Sequence, residues 1–329
     1  MNLNLACLAG ISLFYSSLAL GLDPSTEIIK LGGKGTLKAG SGEERSARTY
    51  QLGSEWGKQE VTTQVFNQSS PAFQRAAAAA VKIGGGTGFY LGMFAGKHVI
   101  ATNHHVCSSA TACTRGSVQF TWLGKRFKVT QHLGNWKEID LALLTIEVPN
   151  ESDAKIIEKV ASNFDFDSSI ESGQALVTVG YGGADNPSQR LVGNEDSDCK
   201  VFSLKDEFRF MDDPDTLNPS TYKTWSFANG CDISHGDSGS AMVDKVTGRP
   251  IGLIWTGSIP KTAEVQDSDN LEKIRLTNDP KIWTKLSYAV PAPKIQEFLV
   301  DKIQTGSLPS PAKEIVGQVI GKNGFFVAH

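Results

Sequence analysis

Ser238 stands in "CDISHGDSGSAMV", residues 231–243, where Gly-Asp-Ser-Gly joins a polar loop to an apolar run. A serine hydroxyl is a poor nucleophile at neutral pH. It attacks a carbonyl only when a base takes its proton and a carboxylate holds that base in the right tautomer. Gly, Asp and Ser also dominate ordinary turns, so an inert turn serine is the competing reading. The histidines are His98, His104, His105, His132, His235 and His329. Two of them stand in "VIATNHHVC", at the end of an apolar run, and "EIDLALL" sets Asp140 at the start of another. An aspartate entering Leu-Ala-Leu-Leu needs a partner for its charge. A histidine satisfied in the core and an aspartate capping a turn are the plain alternatives.

The elements that must position these residues read as short strands with turn punctuation. "GTGFYLGMFAGKHVIATNHHV" is a hairpin turning at Ala-Gly-Lys, and "SVQFTWLGKRFKVTQHLGN" is a second, turning near Leu123-Gly124-Lys125. "IDLALLTIEV", "QALVTVGYGG", "CKVFSL", "TYKTWSFANG", "SGSAMVD", "PIGLIWTG" and "WTKLSYAV" continue the pattern. Strands at this spacing argue for an all-β sandwich or barrel. "SSPAFQRAAAAAVKIG" starts as a helix capped by Ser70, with Pro71 in its first turn, and then becomes strand-like. "PAPKIQEFLVDKIQ" is an amphipathic helix started by Pro291 and Pro293. Residues 22–75 are rich in Gly, Ser, Lys, Glu and Gln and read as a flexible extension or pro-segment. Residues 303–329 form a tail of unassigned role.

The histidine, aspartate and serine motifs, "TNHHV", "DLALL" and "GDSGS", occur in that order. The sequence thereby resembles the chymotrypsin/trypsin-like clan of serine proteases. It is nearest to the compact bacterial branch of glutamyl endopeptidases and periplasmic quality-control proteases. "GTGFYL" before the histidines and "YAVP" before the last helix also fit, so the likeness covers roughly residues 76–302. The resemblance implies two six-stranded antiparallel Greek-key β-barrels, about 76–168 and 169–290, with a C-terminal helix behind them. It implies a serine endopeptidase working through an acyl-enzyme in the cleft between the barrels. His105 is then the base, because it directly precedes Val106, and His104 fills the variable position. Asp140 orients His105, and Ser238 attacks. The backbone N–H groups of Gly236 and Ser238 form the oxyanion hole.

The same resemblance assigns Asp232, His235, Ile254 and Gly257 to the substrate pocket. Asp232 occupies the place of an acidic pocket floor, which would select Lys or Arg; in some bacterial relatives the aspartate serves the loop instead. Ile254 stands where glutamyl endopeptidases carry a histidine, which speaks against glutamate. Basic, apolar and acidic preferences therefore stay open, as does the part of His235, rim or substrate contact. In zymogens of the clan a freed N-terminal ammonium pairs with the aspartate before the nucleophile. Asp237 holds that position, with Arg75-Ala76 as a plausible cut and an internal polar partner as the alternative. The quality-control branch carries a further domain, and none fits after residue 302.

Composition, the first residues and the cysteine count bear on partners and destination. The chain has 329 residues, 40% of them hydrophobic, and a formal net charge of −3. With no long basic run, nucleic acid and stable membrane association are poor partners; polypeptide substrates and a monomer are expected. "LACLAGISLFYSSLAL" is apolar, ends before Ala19-Leu20-Gly21 and reads as a signal peptide over residues 1–21. The destination is extracellular or periplasmic. Removing it removes Cys7 and leaves Cys107, Cys113, Cys199 and Cys231, an even set that favours disulfides. The expected pairing is Cys107–Cys113, closing a short local loop, and Cys199–Cys231. A zinc site from His104, His105, Cys107 and Cys113 lacks the usual ligand spacings, so no metal or other cofactor is expected. A metal-dependent hydrolase and a catalytically silent secreted binding protein on the same scaffold are the competing functions.

Overall fold

The computed structural model describes residues 49–114, 116–183, 190–215 and 223–321. The expected signal peptide and Cys7 lie outside the described residues. The chain is mostly antiparallel β, as the motif order implies, with helices at its edges.

From residue 49 onward, the segment expected to be flexible or removable is built into the fold. Leu52 is fully buried, and β1 (Gln59–Glu60) pairs with a strand of the second barrel. Helix α1 (Thr63–Gln68) is capped by the Thr62 hydroxyl, which accepts from Val65 N–H. Helix α2 (Pro71–Ala79) starts as its sequence predicts, with Ser70 Oγ accepting from Phe73 N–H and Pro71 at the first position. Ala72, Phe73 and Ala76 to Ala79 are all buried. The Arg75-Ala76 bond therefore lies inside a packed helix, not in the extended accessible chain a protease needs.

The first barrel is a closed ring of six strands: β2 (Ala80–Ile83), β3 (Gly86–Phe94), β4 (Lys97–Thr102), β5 (Ser117–Phe120), β6 (Lys125–Trp136) and β7 (Leu141–Glu147). Their order around the ring is β2-β3-β4-β7-β6-β5, and Lys82 opposite Gln119 closes it. The β3–β4 turn is Ala95-Gly96, both at positive φ, the geometry that matches the twist of a two-residue hairpin. Phe120 is fully buried and meets Phe127 edge-on at 5.7 Å. Truncating such a side chain to alanine typically costs about 3–5 kcal/mol.

The second barrel contains β8 (Leu176–Gly180), β9 (Val192–Asn194), β10 (Arg209–Asp212), β11 (Lys223–Asn229), β12 (Ala241–Asp244), β13 (Pro250–Gly257) and β14 (Ser287–Pro291). The sheet runs β1-β9-β8-β12-β13-β14-β11-β10. "CKVFSL", expected as a strand, contributes two isolated bridges, Ala175 to Lys200 and Val201 to Asn229. These join β8 to β11 and complete a ring of six. Leu176, Phe227, Met242, Ile251 and Ile254 fill it, with the buried Cys199 and Cys231 in the same cluster.

Between the barrels helix α4 (Glu151–Glu158) follows β7, after the short α3 (Ala110–Thr114) in the first barrel's loop. Residues 258–281, long for their place, hold α5 (Ser268–Thr277), and α6 (Ile282–Lys285) leads into β14. Helix α7 (Ala292–Gln304) is the expected amphipathic helix, burying Ala292, Ile295, Leu299 and Ile303. The tail continues as α8 (Ser310–Val319). Its Gln318 Oε1 accepts the N–H of Ala95 at 2.6 Å, so the tail buttresses the first hairpin of the first barrel.

Candidate active site

His105 sits in the turn that follows β4. Asp140 is the left-handed residue (φ 36°) between a 3-10 turn and β7. Because β4 and β7 are neighbours, with Thr102 opposite Ala142, their ends bring the two side chains together. Asp140 is fully buried. Its Oδ2 meets His105 Nδ1 at 2.8 Å, and its Oδ1 accepts His105 N–H at 3.1 Å. Its carbonyl accepts from Asn103 Nδ2 at 2.9 Å and from His104 N–H at 3.0 Å. The buried carboxylate thus takes one donor on each oxygen, both from His105, and it fixes both backbone and ring of that histidine. Desolvation alone would lower the His105 pKa; the Asp140 hydrogen bond, the Asp140 charge and the Asp213 charge outweigh it and hold the pKa above the ordinary value. The pKa of His104 moves the other way: burial lowers it more than Asp140 raises it.

His105 and Ser238 line one cavity of about 340 Å³, with Asp213, Asp215, Ile233, Ser234, His235, Trp255, Thr256, Gly257 and Ile259 around them. The loop that carries Ser238 is tied to the first barrel through Thr87, whose N–H donates to Ser238 O and whose hydroxyl donates to Gly236 O. Gly236 lies at φ +99°, and a Cβ there would meet Tyr181 O at 2.8 Å. Only glycine meets both conditions. Gly236 also lines a second, smaller cavity with Lys82, Gly85, Gly86 and Tyr181.

Two of the residues expected in the pocket stand elsewhere. Asp232 is fully buried, does not line the cavity, and accepts from Leu52 N–H at 2.6 Å and Gly57 N–H at 2.7 Å. Burial raises its pKa to about 7 against the pull of those two donors. Ile254 is fully buried inside the second barrel; on β13 its neighbour Trp255 reaches the cavity. Gly257 and His235 do line it, His235 with a side chain 71% exposed at the rim. Acidic groups come instead from Asp213 and Asp215, just after β10. Asp213 Oδ1 accepts from Thr256 Oγ1, and Asp215 Oδ2 lies 3.8 Å from His235 Nε2. Burial raises the Asp215 pKa, with His235 opposing.

Asp237, between Gly236 and Ser238, points away from the cavity. Its Oδ1 accepts Gly182 N–H at 3.1 Å, and its Oδ2 accepts Ser234 N–H at 2.8 Å and the Lys58 ammonium. Sequence reasoning missed Lys58, Thr87, Asp213 and Asp215. The Gly-Thr-Gly before the histidines was the one local signal among them. Both expected disulfides are present, Cys107–Cys113 just after His105 and Cys199–Cys231 at the start of the loop that carries Ser238. The first occupies both sulfurs that a zinc site would need.

The trypsin-like peptidase domain matches residues 86–253, about half of the chain. The protein belongs to this family. As a family member it is a peptidase, and its substrates are polypeptides. No curated protein matches the chain. Among solved structures, the chain is similar to the Rv3671c protease of M. tuberculosis in its active form. Identity there is 16%, over 81% of this chain and 93% of that one, with a TM-score of 0.45. It is also similar to the HtrA-type protease AlgW with a tripeptide, at 18% identity over 72% of this chain and 64% of that one, TM-score 0.45. No helix among the described residues of this peptidase is long and apolar enough to cross a membrane.

Proposed function

We propose that the protein is an exported serine endopeptidase with Ser238 as nucleophile, His105 as general base and Asp140 as its orienting carboxylate. The observation that carries this reading is the His105 Nδ1–Asp140 Oδ2 bond at 2.8 Å in a cavity shared with Ser238. With Nδ1–H committed to Asp140, Nε2 carries the lone pair that accepts the Ser238 proton. Oγ then bonds to the substrate carbonyl carbon, and the carbonyl oxygen becomes an oxyanion held by the N–H groups of Gly236 and Ser238. Collapse breaks the peptide bond, the leaving amine takes the proton from His105, and the acyl group stays on Ser238. Water, deprotonated by the same imidazole, releases it.

Two disulfides support an oxidising destination and hence export. For the substrate, Asp213 and Asp215, with no Lys or Arg among the described residues that line the cavity, support a basic side chain beside the cleaved bond.

A fluorophosphonate probe tests the reading. Wild-type protein should label and Ser238→Ala should not. A correctly folded, disulfide-bonded wild type that stays unlabelled points to a binding protein on the same scaffold, and hydrolysis abolished by chelators points to a metal enzyme.

A further inference from the structure

Lys58 comes from the segment ahead of both barrels, yet its side chain is 3% exposed and pairs with Asp237, whose side chain is 2% exposed. Its Nζ also donates to Ser234 Oγ at 2.9 Å. A buried carboxylate without a cation costs several kcal/mol, so the Lys58 ammonium adds the balancing charge to the Gly182 and Ser234 N–H donors that hold Asp237 inward. Asp237 shares its two peptide planes with Gly236 and Ser238. Where its side chain is anchored sets the direction of the Ser238 N–H, which lies in one of those planes, and of the Gly236 carbonyl, which lies in the other.

The rest of the segment clips the same loop at its other end. Leu52 N–H and Gly57 N–H take one oxygen each of Asp232, and Gln59 and Glu60 pair with Gly193 and Val192. A Cβ on Gly57 would meet Asp196 Oδ2 at 1.5 Å, so the arm lies flush against the barrel. Loop 231–238 is thus held at Asp232 and at Asp237 by residues 52–58, with the cavity on its opposite side.

We infer that Lys58 is a positioning residue for the oxyanion hole, acting through Asp237, and that residues 52–60 are a permanent part of the working peptidase. This rests on the assignment of Ser238 as nucleophile. An arm that supplies the cation from inside the chain makes a freed terminal ammonium unnecessary at Asp237. Cutting the chain between Lys58 and the first barrel and losing the arm would switch the protein off.

The test uses the full-length exported protein. Fluorophosphonate-labelled wild type is analysed by intact mass and N-terminal sequencing, and the labelled molecules should begin before Leu52. Lys58→Met should lower kcat about 10²–10³-fold, the loss expected when oxyanion donors are misplaced, with KM changed only a few-fold. Lys58→Ala should regain part of its activity with added propylammonium. Should Lys58→Met fail to fold, Lys58→Met with Asp237→Asn removes both buried charges and should fold while remaining slow. Labelled wild type that begins after Lys58 overturns the inference. So does a folded variant, single or double, with kcat within twofold of wild type, or a loss confined to KM. Wild type that is folded but never labels overturns the nucleophile assignment itself, and this inference with it.

Discussion

The Thr87 N–H donates to the Ser238 carbonyl at 2.9 Å, so strand β3 of the first barrel also holds the loop that carries Ser238. Its hydroxyl donates to Gly236 O at 2.7 Å and accepts from Tyr181 N–H at 2.9 Å. Thr87→Val keeps the shape and deletes that hydroxyl, leaving a carbonyl and an amide unpaired near the barrel interface. The expected cost is about 1–3 kcal/mol of stability, with kcat reduced more than KM. Urea melts and steady-state kinetics measure both, and unchanged values would show that the backbone bond alone holds the loop.

The two adjacent histidines should separate cleanly. His105→Ala and Ser238→Ala should each lower kcat about 10⁴-fold or more, and Asp140→Asn by about 10⁴-fold. His104→Ala should do far less, since its ring does not line the cavity. An active His105→Ala beside a folded, inactive His104→Ala would reverse the assignment.

The acid limb of the kcat/KM profile should lie above the ordinary histidine value of about 6.5, because only neutral imidazole accepts the serine proton and Asp140 and Asp213 raise the His105 pKa. The stability effect has the opposite sign. A folded-state pKa above the unfolded one favours the protonated fold, so this contribution is complete below about pH 6.5 and disappears as pH rises through the folded value. Activity should climb where this part of the stability is lost. Asp213→Asn should move the limb toward lower pH; a limb that stays put would remove Asp213 as a cause.

Substrate preference should follow the carboxylates that line the cavity. Profiling with a peptide library should show enrichment of Lys or Arg at the cleaved position. That enrichment should fall about tenfold or more in Asp213→Asn or Asp215→Asn, while Asp232→Asn lowers stability and leaves the preference intact. A preference lost only in Asp232→Asn would restore Asp232 as the selecting residue.

The first barrel was legible because its residues announce themselves locally. The Ala95-Gly96 turn, the alternation along β6 and the unbroken apolar run of β7 are short-range patterns. The order of the histidine, aspartate and serine motifs was also readable, although the 2.8 Å contact between His105 and Asp140 depends on β4 and β7 being neighbours. Strands β1, β9 and β10 span two to four residues each, too short for a period to show. Whether Asp232 serves the pocket or the loop was not legible, because a loop sequence does not say which way a side chain turns; donors from Leu52 and Gly57 decide it. Lys58 stands in a polar stretch like any solvated lysine, and only a tertiary contact marks it as buried.

The partners at the Ser238 loop are far apart along the chain: Leu52 and Asp232 by 180 positions, Lys58 and Asp237 by 179. Closing so long a span costs little more entropy than closing one half as long, about 0.6 kcal/mol per doubling, but it raises contact order and slows folding. Synthesis runs from the N-terminus, so the arm emerges early and waits for 180 and 179 further residues, respectively, before Asp232 and Asp237 exist. Neither barrel alone holds an anchored Ser238 loop. Readiness for chemistry is therefore a joint property of the arm and both barrels, and a fragment that lacks any of them, however well its own strands pair, lacks a tether.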